Sequence, residues 1–226
     1  LRERVDAAVR RRLVADVPLG LFLSGGIDSA VIAESAARQS SAQLQAFTIG
    51  FHEGSYDERE PAKQVASALG LDYQEQVLGS DDMLGVLDEA NAVLDEPLND
   101  PAILPQLLLA RFAKTKLTVA LTGDGGDELL LGYPHVPMHA LLEKLGGMPR
   151  SVMRALATAC AAMPASDGYF SFGFKAQRLA RGLAECGMWS RDLAWRGTMT
   201  APTLSGLLLP EVAVAADPSW ADNDMA

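Results

Sequence analysis

Short apolar runs alternate with longer stretches whose apolar positions recur at helical spacing. The runs Leu19–Leu23, Leu44–Ile49, Tyr73–Leu78 and Leu117–Leu121 read as strands. Between them Asp28–Arg38, Asp57–Leu69, Asp81–Leu94 and Ala102–Lys114 read as amphipathic helices. This alternation predicts an α/β fold, a parallel sheet with helices on both faces. From about Ala140 the pattern changes. Leu141, Leu142 and Leu145, then Val152, Met153, Leu156 and Cys160, then Leu179 and Leu183 are spaced for helices, and no strand is read there. The expected organisation is an α/β domain over residues 1–140 and a helical portion over 141–226. Gly146-Gly147-Met148-Pro149 and Met163 to Gly168 are the linker candidates. The helical portion is expected to cover or pack against the ligand cleft, with its apolar residues as core. The stretch Glu211–Ala226, with prolines and acidic residues among alanines, is expected to be poorly ordered.

Composition narrows the classes of partner. The formal charge of −10 over 226 residues argues against a nucleic-acid surface, and Arg10-Arg11-Arg12 is too short a cationic stripe to change that. It reads as a solvated helix face. Neither a signal peptide nor an apolar run of about 18 residues is present, so the expectation is a cytoplasmic protein with no membrane partner. Cys160 and Cys186 lack metal-ligand spacing and read as free thiols. His52, His135 and His139 are too scattered to nominate as a metal site. The chain begins inside helix-like sequence and is expected to be a fragment of a longer protein.

Candidate chemistry sits where two of the strands end. Leu19 to Ser29 reads LGLFLSGGIDS, a strand running into Ser24-Gly25-Gly26-Ile27-Asp28-Ser29. Gly25 and Gly26 remove the Cβ atoms that would hold the backbone away from phosphate oxygens. Amide N–H groups of the turn and of the following helix would face the anion. Ser24 and Ser29 can donate hydroxyl hydrogen bonds, whereas Asp28 makes sense as a ligand of Mg²⁺. The other reading is an ordinary strand-to-helix turn that Asp28 caps.

Leu117 to Tyr133 reads LTVALTGDGGDELLLGY, in which Thr122–Asp127 form a glycine-rich acidic loop. Asp124, Asp127 and Glu128 would raise one another's pKa unless a cation or an ammonium group neutralised them. Alternatively, this is a solvated acidic turn. Both loops follow the C-terminal ends of strands, where open α/β sheets bind ligands, so they are expected to face one cleft. Leu44–Ile49 ends in Gly50, a third place for close approach, with adenine or ribose as the expected occupant.

The SGGIDS string resembles the pyrophosphate loop of the ATP pyrophosphatase superfamily, whose members cleave ATP between its α and β phosphates. TGDGGDE resembles the acidic signature of asparagine synthetases. Further similarity to the bacterial glutamine-hydrolysing type lies in Phe47–Leu71, in Asp95-Glu96-Pro97-Leu98-Asn99-Asp100, in Phe172–Lys175 through Arg178, and in Trp195-Arg196-Gly197. The resemblance implies an adenine nucleotide alpha hydrolase-like fold with a C-terminal helical extension. It also implies ATP and Mg²⁺ as cofactors, with Leu23, Ser24, Gly25, Gly26, Asp28, Ser29, Ile49, Thr122 and Gly123 around the nucleotide. Asp28 would hold the metal, Asp124 would act as the catalytic acid at the intermediate, and Asp127 would hold the substrate's α-ammonium.

The implied partners are aspartate and ammonia, the latter from glutamine through a glutaminase domain that this chain lacks. A homodimer of the full-length protein is left open. The implied reaction begins with attack of the aspartate side chain on the α-phosphorus, giving β-aspartyl-AMP and pyrophosphate. Ammonia then displaces AMP. The phosphate-contacting lysine of the family has no assigned counterpart, since Lys175 lies too early. Asp124 stands where some members have glutamate, Gln74 where many have histidine, and Leu129-Leu130-Leu131 where Phe-Gly is usual. These departures leave the acceptor open. The other readings are a β-lactam synthetase or lasso-peptide cyclase type of acceptor, and a non-catalytic nucleotide-binding module.

Overall fold

The computed structural model describes residues 1–52, 54–95, 100–144, 149–164, 172–184, 191, 194, 195, 206, 207 and 209. Residues 96–99 of the Asp-Glu-Pro segment, Leu145, most of both linkers, Cys186, Arg196, Gly197 and the stretch 211–226 lie outside them. The described chain divides into two compact units, Leu1–Leu131 and Gly132–Ala226, where the sequence pattern places the change at 140/141.

The first unit runs α1 (Arg2–Arg12), β1 (Leu19–Phe22), α2 (Ile27–Gln39), β2 (Gln45–Phe51), α3 (Arg59–Leu69) and β3 (Asp72–Leu78). It continues through α4 (Ser80–Leu84), α5 (Leu87–Val93), α6 (Ile103–Lys114), β4 (Val119–Leu121) and α7 (Gly126–Leu130). The strands form one sheet in the order β3-β2-β1-β4, every pair parallel. This is the expected α/β architecture. Alternation along the strands assigns the faces. Leu21 and Ala46 join Val9 of α1, Ala33 and Ala36 of α2, and Ala62 and Ala66 of α3 in one core. Their chain neighbours Phe22 and Phe47 turn the other way, towards Leu109, Phe112 and Ala113 of α6 and Leu117. Phe47 is fully buried and meets Phe112 edge to face, with ring centroids 5.2 Å apart. Burying such a side chain contributes about 2–3 kcal/mol.

Two expected helices begin or divide differently. The predicted helix over 81–94 is two helices, α4 and α5, because a glycine stands in its middle. Gly85 N–H bonds to the Asp81 carbonyl at 2.9 Å, then Val86 N–H bonds tightly back to Met83 at 3.3 Å, and Val86 is buried. Helix α3 starts at Arg59 rather than Asp57, since the Asp57 carboxylate accepts from the Arg59 amide at 3.2 Å and stays outside the helix.

The strand order sets the site. The chain steps outward from β1 to β2 to β3, then returns to place β4 on the opposite side of β1. The order therefore reverses between β1 and β4, and ligands bind at such switch points, beyond the C-terminal ends of the strands. Both glycine-rich loops leave from those two ends.

In the second unit α8 (His135–Lys144), α9 (Arg150–Ala161) and α10 (Phe172–Ala184) surround Leu142, Met153, Leu183 and Trp195. Trp195 Nε1 donates to the Arg178 carbonyl at 2.9 Å. Its ring lies where a Cβ on Gly182 would be, 2.3 Å from ring carbons. The apolar positions read as core therefore include a true core, and no strand occurs among the described residues of this unit.

Candidate functional site

The loop after β1 is built from its own hydroxyls. Ser29, buried in the first turn of α2, accepts from the Ser24 amide at 3.1 Å and lies 2.9 Å from Ser24 Oγ. Ser24 Oγ in turn accepts from the Gly26 amide at 3.2 Å. The loop's entrance is fixed from β2, where the buried Thr48 hydroxyl donates to the Leu23 carbonyl at 2.6 Å. Leu23 itself is buried, and its amide extends the ladder to the Phe47 carbonyl at 2.9 Å. Gly26 is the N-cap of α2, and no side chain caps the helix. Asp28 is therefore not a capping residue.

The loop after β4 reaches the same place through its glycines. A Cβ on Gly123 would stand 2.6 Å from the Ser29 amide nitrogen and 3.0 Å from the Ser29 Cα. One on Gly126 would stand 2.6 Å from Asp28 Oδ2. The acidic loop thus lies directly on the first turn of α2, with Gly126 forming the seat of the Asp28 carboxylate. Gly125, at φ +89°, supplies the left-handed turn between the two contacts. Thr122 Oγ1 donates to Asp124 Oδ2 at 2.8 Å, in an exposed position, and Asp127 opens the short helix α7. Helix α7 ends on Leu131, whose φ of +59° is unusual for a side chain with a Cβ.

Ser24, Gly25, Gly26, Asp28, Ser29, Thr122, Gly123, Asp124 and Asp127 thus fall on two loops in contact. Ile49 lies on the neighbouring strand β2. Beside it, the close approach to Gly50 is made by the Arg59 side chain, whose Cδ would stand 2.3 Å from a Cβ there. Arg59 pairs with Asp57 at 2.8 Å and faces Glu75 at 3.7 Å. Its hydrogen bonds hold the Asp57 carboxyl below the usual carboxylate range, against the opposing effect of burial. Burial pushes the Tyr73 phenol up to about 12, and its hydroxyl donates to the Arg59 carbonyl at 3.2 Å.

Gln74 lies on the edge strand β3, where it pairs with Phe47 of β2, accepts from Lys116 Nζ at 3.0 Å and donates to Asp72 at 2.9 Å. Sequence reasoning missed Thr48 and Glu58. Thr48 had a signal, a hydroxyl inside an apolar strand that must find a partner. Glu58, whose carboxylate accepts from the Gly25 amide at 3.1 Å, had none.

The donor chemistry suits a polyphosphate: amides and hydroxyls at the turn, with the Asp28 and Glu58 carboxylates beside them. No three His, Cys, Asp or Glu side chains gather as a metal cage among the described residues. Asp28 alone is nevertheless compatible with Mg²⁺, which keeps several waters and uses one or two carboxylates together with substrate phosphates. No described helix is long and apolar enough to cross a membrane.

Comparison with known proteins gives a consistent picture. The asparagine synthase family profile matches residues 1–207. Asparagine synthetase [glutamine-hydrolyzing] 1 of Bacillus subtilis is 35% identical over 73% of this chain and 26% of its own length. A putative asparagine synthetase [glutamine-hydrolyzing] of Mycobacterium bovis is 31% identical over 98% of this chain and 32% of its own length. The chain thus spans about a quarter to a third of the curated relatives it matches. Among solved structures, the NH3-dependent NAD synthetase of Campylobacter jejuni aligns over 58% of each chain at 21% identity with a TM-score of 0.40, too low to carry an argument.

Proposed function

We propose, from the premise that this chain belongs to the asparagine synthase family and carries part of its ATP pyrophosphatase-type synthetase domain, that it serves ATP-dependent amide formation. The acceptor in this proposal is aspartate and the product asparagine. The observation that carries it is the contact between the two loops at the switch point, Gly123 on Ser29 and Gly126 on Asp28.

A triphosphate held at the first loop would lie beside the acidic second loop, where an ammonium-bearing amino acid finds compensating charge. The Gly26 amide and the Ser24 hydroxyl would bind the β and γ phosphates, and Asp28 would hold Mg²⁺, which neutralises charge on the leaving pyrophosphate. Asp127 would hold the α-ammonium. The side-chain carboxylate oxygen then bonds to the α-phosphorus as the bond to pyrophosphate breaks. Ammonia forms the new C–N bond, AMP leaves with the C–O electron pair, and Asp124 would accept the proton that nitrogen sheds. Positioning two anions is the main task.

The test is pyrophosphate release by the 226-residue chain with MgATP, with and without aspartate and ammonia. The expected result is release that requires aspartate, with asparagine formation from aspartate and ammonia falling at least about a hundredfold in Asp124→Ala, the scale of losing one group that acts in the transition state. Release indifferent to aspartate would point to another acceptor. Absence of release under every condition would sink the enzymatic reading for this chain.

A further inference from the structure

In the loop after β1 the Gly25 amide is already turned to an anion from another segment. It donates to Glu58 Oε2 at 3.1 Å, across from the start of α3. We propose that the Glu58 carboxylate is a displaceable occupant of the anion seat at Gly25, and that it sets how tightly the loop holds a polyphosphate. This rests on reading the loop as a pyrophosphate site.

A carboxylate and a phosphate present the same kind of oxygen to an N–H, and one amide hydrogen serves only one of them in good geometry. Their negative charges also repel at hydrogen-bonding distance. A polyphosphate that uses the Gly25 amide must therefore turn Glu58 away. The surroundings allow this with little movement of backbone. Glu58 is exposed, so its carboxylate returns to water without a desolvation cost. The chain on its C-terminal side is held. The Arg59 carbonyl accepts from the Tyr73 hydroxyl, the Arg59 amide and guanidinium both bond to Asp57, and Pro61 packs over Gly25 with its Cβ 3.0 Å from where a Gly25 Cβ would be. Only the side chain of Glu58 has to rotate. The same rigidity explains how an exposed carboxylate finds the amide: α3 delivers it there, with its Cβ 3.5 Å from the Gly25 Cβ position.

The opposite role is a brace, in which Glu58 keeps the loop in its binding conformation. The two roles predict opposite signs. Calorimetric titration of the full chain with inorganic pyrophosphate, with and without Mg²⁺, separates them. If Glu58 competes, Glu58→Ala binds about threefold to tenfold more tightly than wild type, and Glu58→Gln, which keeps an acceptor without the charge, falls between. Hydrogen exchange at the Gly25 amide, measured without any ligand, is faster in Glu58→Ala than in wild type. Unchanged or weaker pyrophosphate binding in both variants, with wild type binding, overturns the proposal and leaves the pyrophosphate loop standing. Failure of all three proteins to bind pyrophosphate, with their urea unfolding midpoints alike, removes the loop reading and the Glu58 proposal together.

Discussion

In the loop after β1, Ser29 Oγ meets the Ser24 amide at 3.1 Å and the Ser24 hydroxyl at 2.9 Å, so the turn is closed largely by its own side chains, with Glu58 on the Gly25 amide. In the loop after β4 the comparable hydroxyl, Thr122, turns to the exposed Asp124 carboxylate, and the loop is placed instead by two glycines that lie on α2. One loop is self-supporting and the other leans on it. The difference shows how the division of labour at the switch point arises: the first loop holds its shape largely through its own hydroxyls, while the second is positioned by contact of its glycines with the first turn of α2.

The largest effect should come from breaking that contact. In Gly123→Ala the new methyl group meets backbone atoms of Ser29 at 2.6 to 3.0 Å, and backbone cannot rotate away. The expected cost is about 2–3 kcal/mol of stability, read from the urea midpoint, with loss of pyrophosphate binding. Gly126→Ala makes the informative partner. Asp28 Cγ and Oδ2 can turn away, but Asp28 Cβ, 2.8 Å from the new methyl position, moves only with the backbone, so a somewhat smaller cost of about 1–2 kcal/mol is expected. Equal costs for the two would mean that the loops do not press on each other as described.

Much of this arrangement was legible in the chain, and the exceptions share a cause. The strands, their parallel order of connection and the position of both loops at strand ends follow from local period and turn residues, which the structure keeps. The division of the predicted 81–94 helix was marked by Gly85, a residue whose helix penalty outweighed the apolar spacing around it. What sequence spacing did not carry is contact between distant segments. Nothing near Gly123 says that its missing Cβ makes room for the Ser29 amide, and nothing near Glu58 says that its carboxylate ends beside Gly25. Those facts depend on strand order, through which β4 returns beside β1 and α3 is delivered from β2.

The self-support of the first loop has its own test. Ser29→Ala removes the acceptor of the Ser24 amide and the partner of the Ser24 hydroxyl at a buried position. Leaving those groups unpaired costs about 1–2 kcal/mol, measurable as a lower urea midpoint. Ser29→Thr keeps the oxygen but adds a methyl group close to Gly123, so rescue should be incomplete. A Ser29→Ala protein as stable as wild type would show that water replaces the hydroxyl at no cost and that the loop is not self-supporting.

The smallest effect is expected at the exposed hydrogen bonds between Thr122 and Asp124 in the second loop, where the Asp124 amide also donates to the Thr122 hydroxyl at 3.3 Å. Thr122 donates to Asp124 at an exposed position, and water can replace either partner. Thr122→Ala should therefore change stability by no more than about 0.5 kcal/mol. Its effect on chemistry has a sign that follows from the same bond. The hydroxyl donates to the carboxylate and so favours one orientation of Asp124. Without it, pyrophosphate binding at the first loop is expected to stay unchanged, while asparagine formation from aspartate and ammonia falls by about threefold to tenfold. A Thr122→Ala variant that loses pyrophosphate affinity instead would place Thr122 with the phosphate-binding turn, and the separation of the two loops into a rigid anion seat and an adjustable acidic partner would no longer hold.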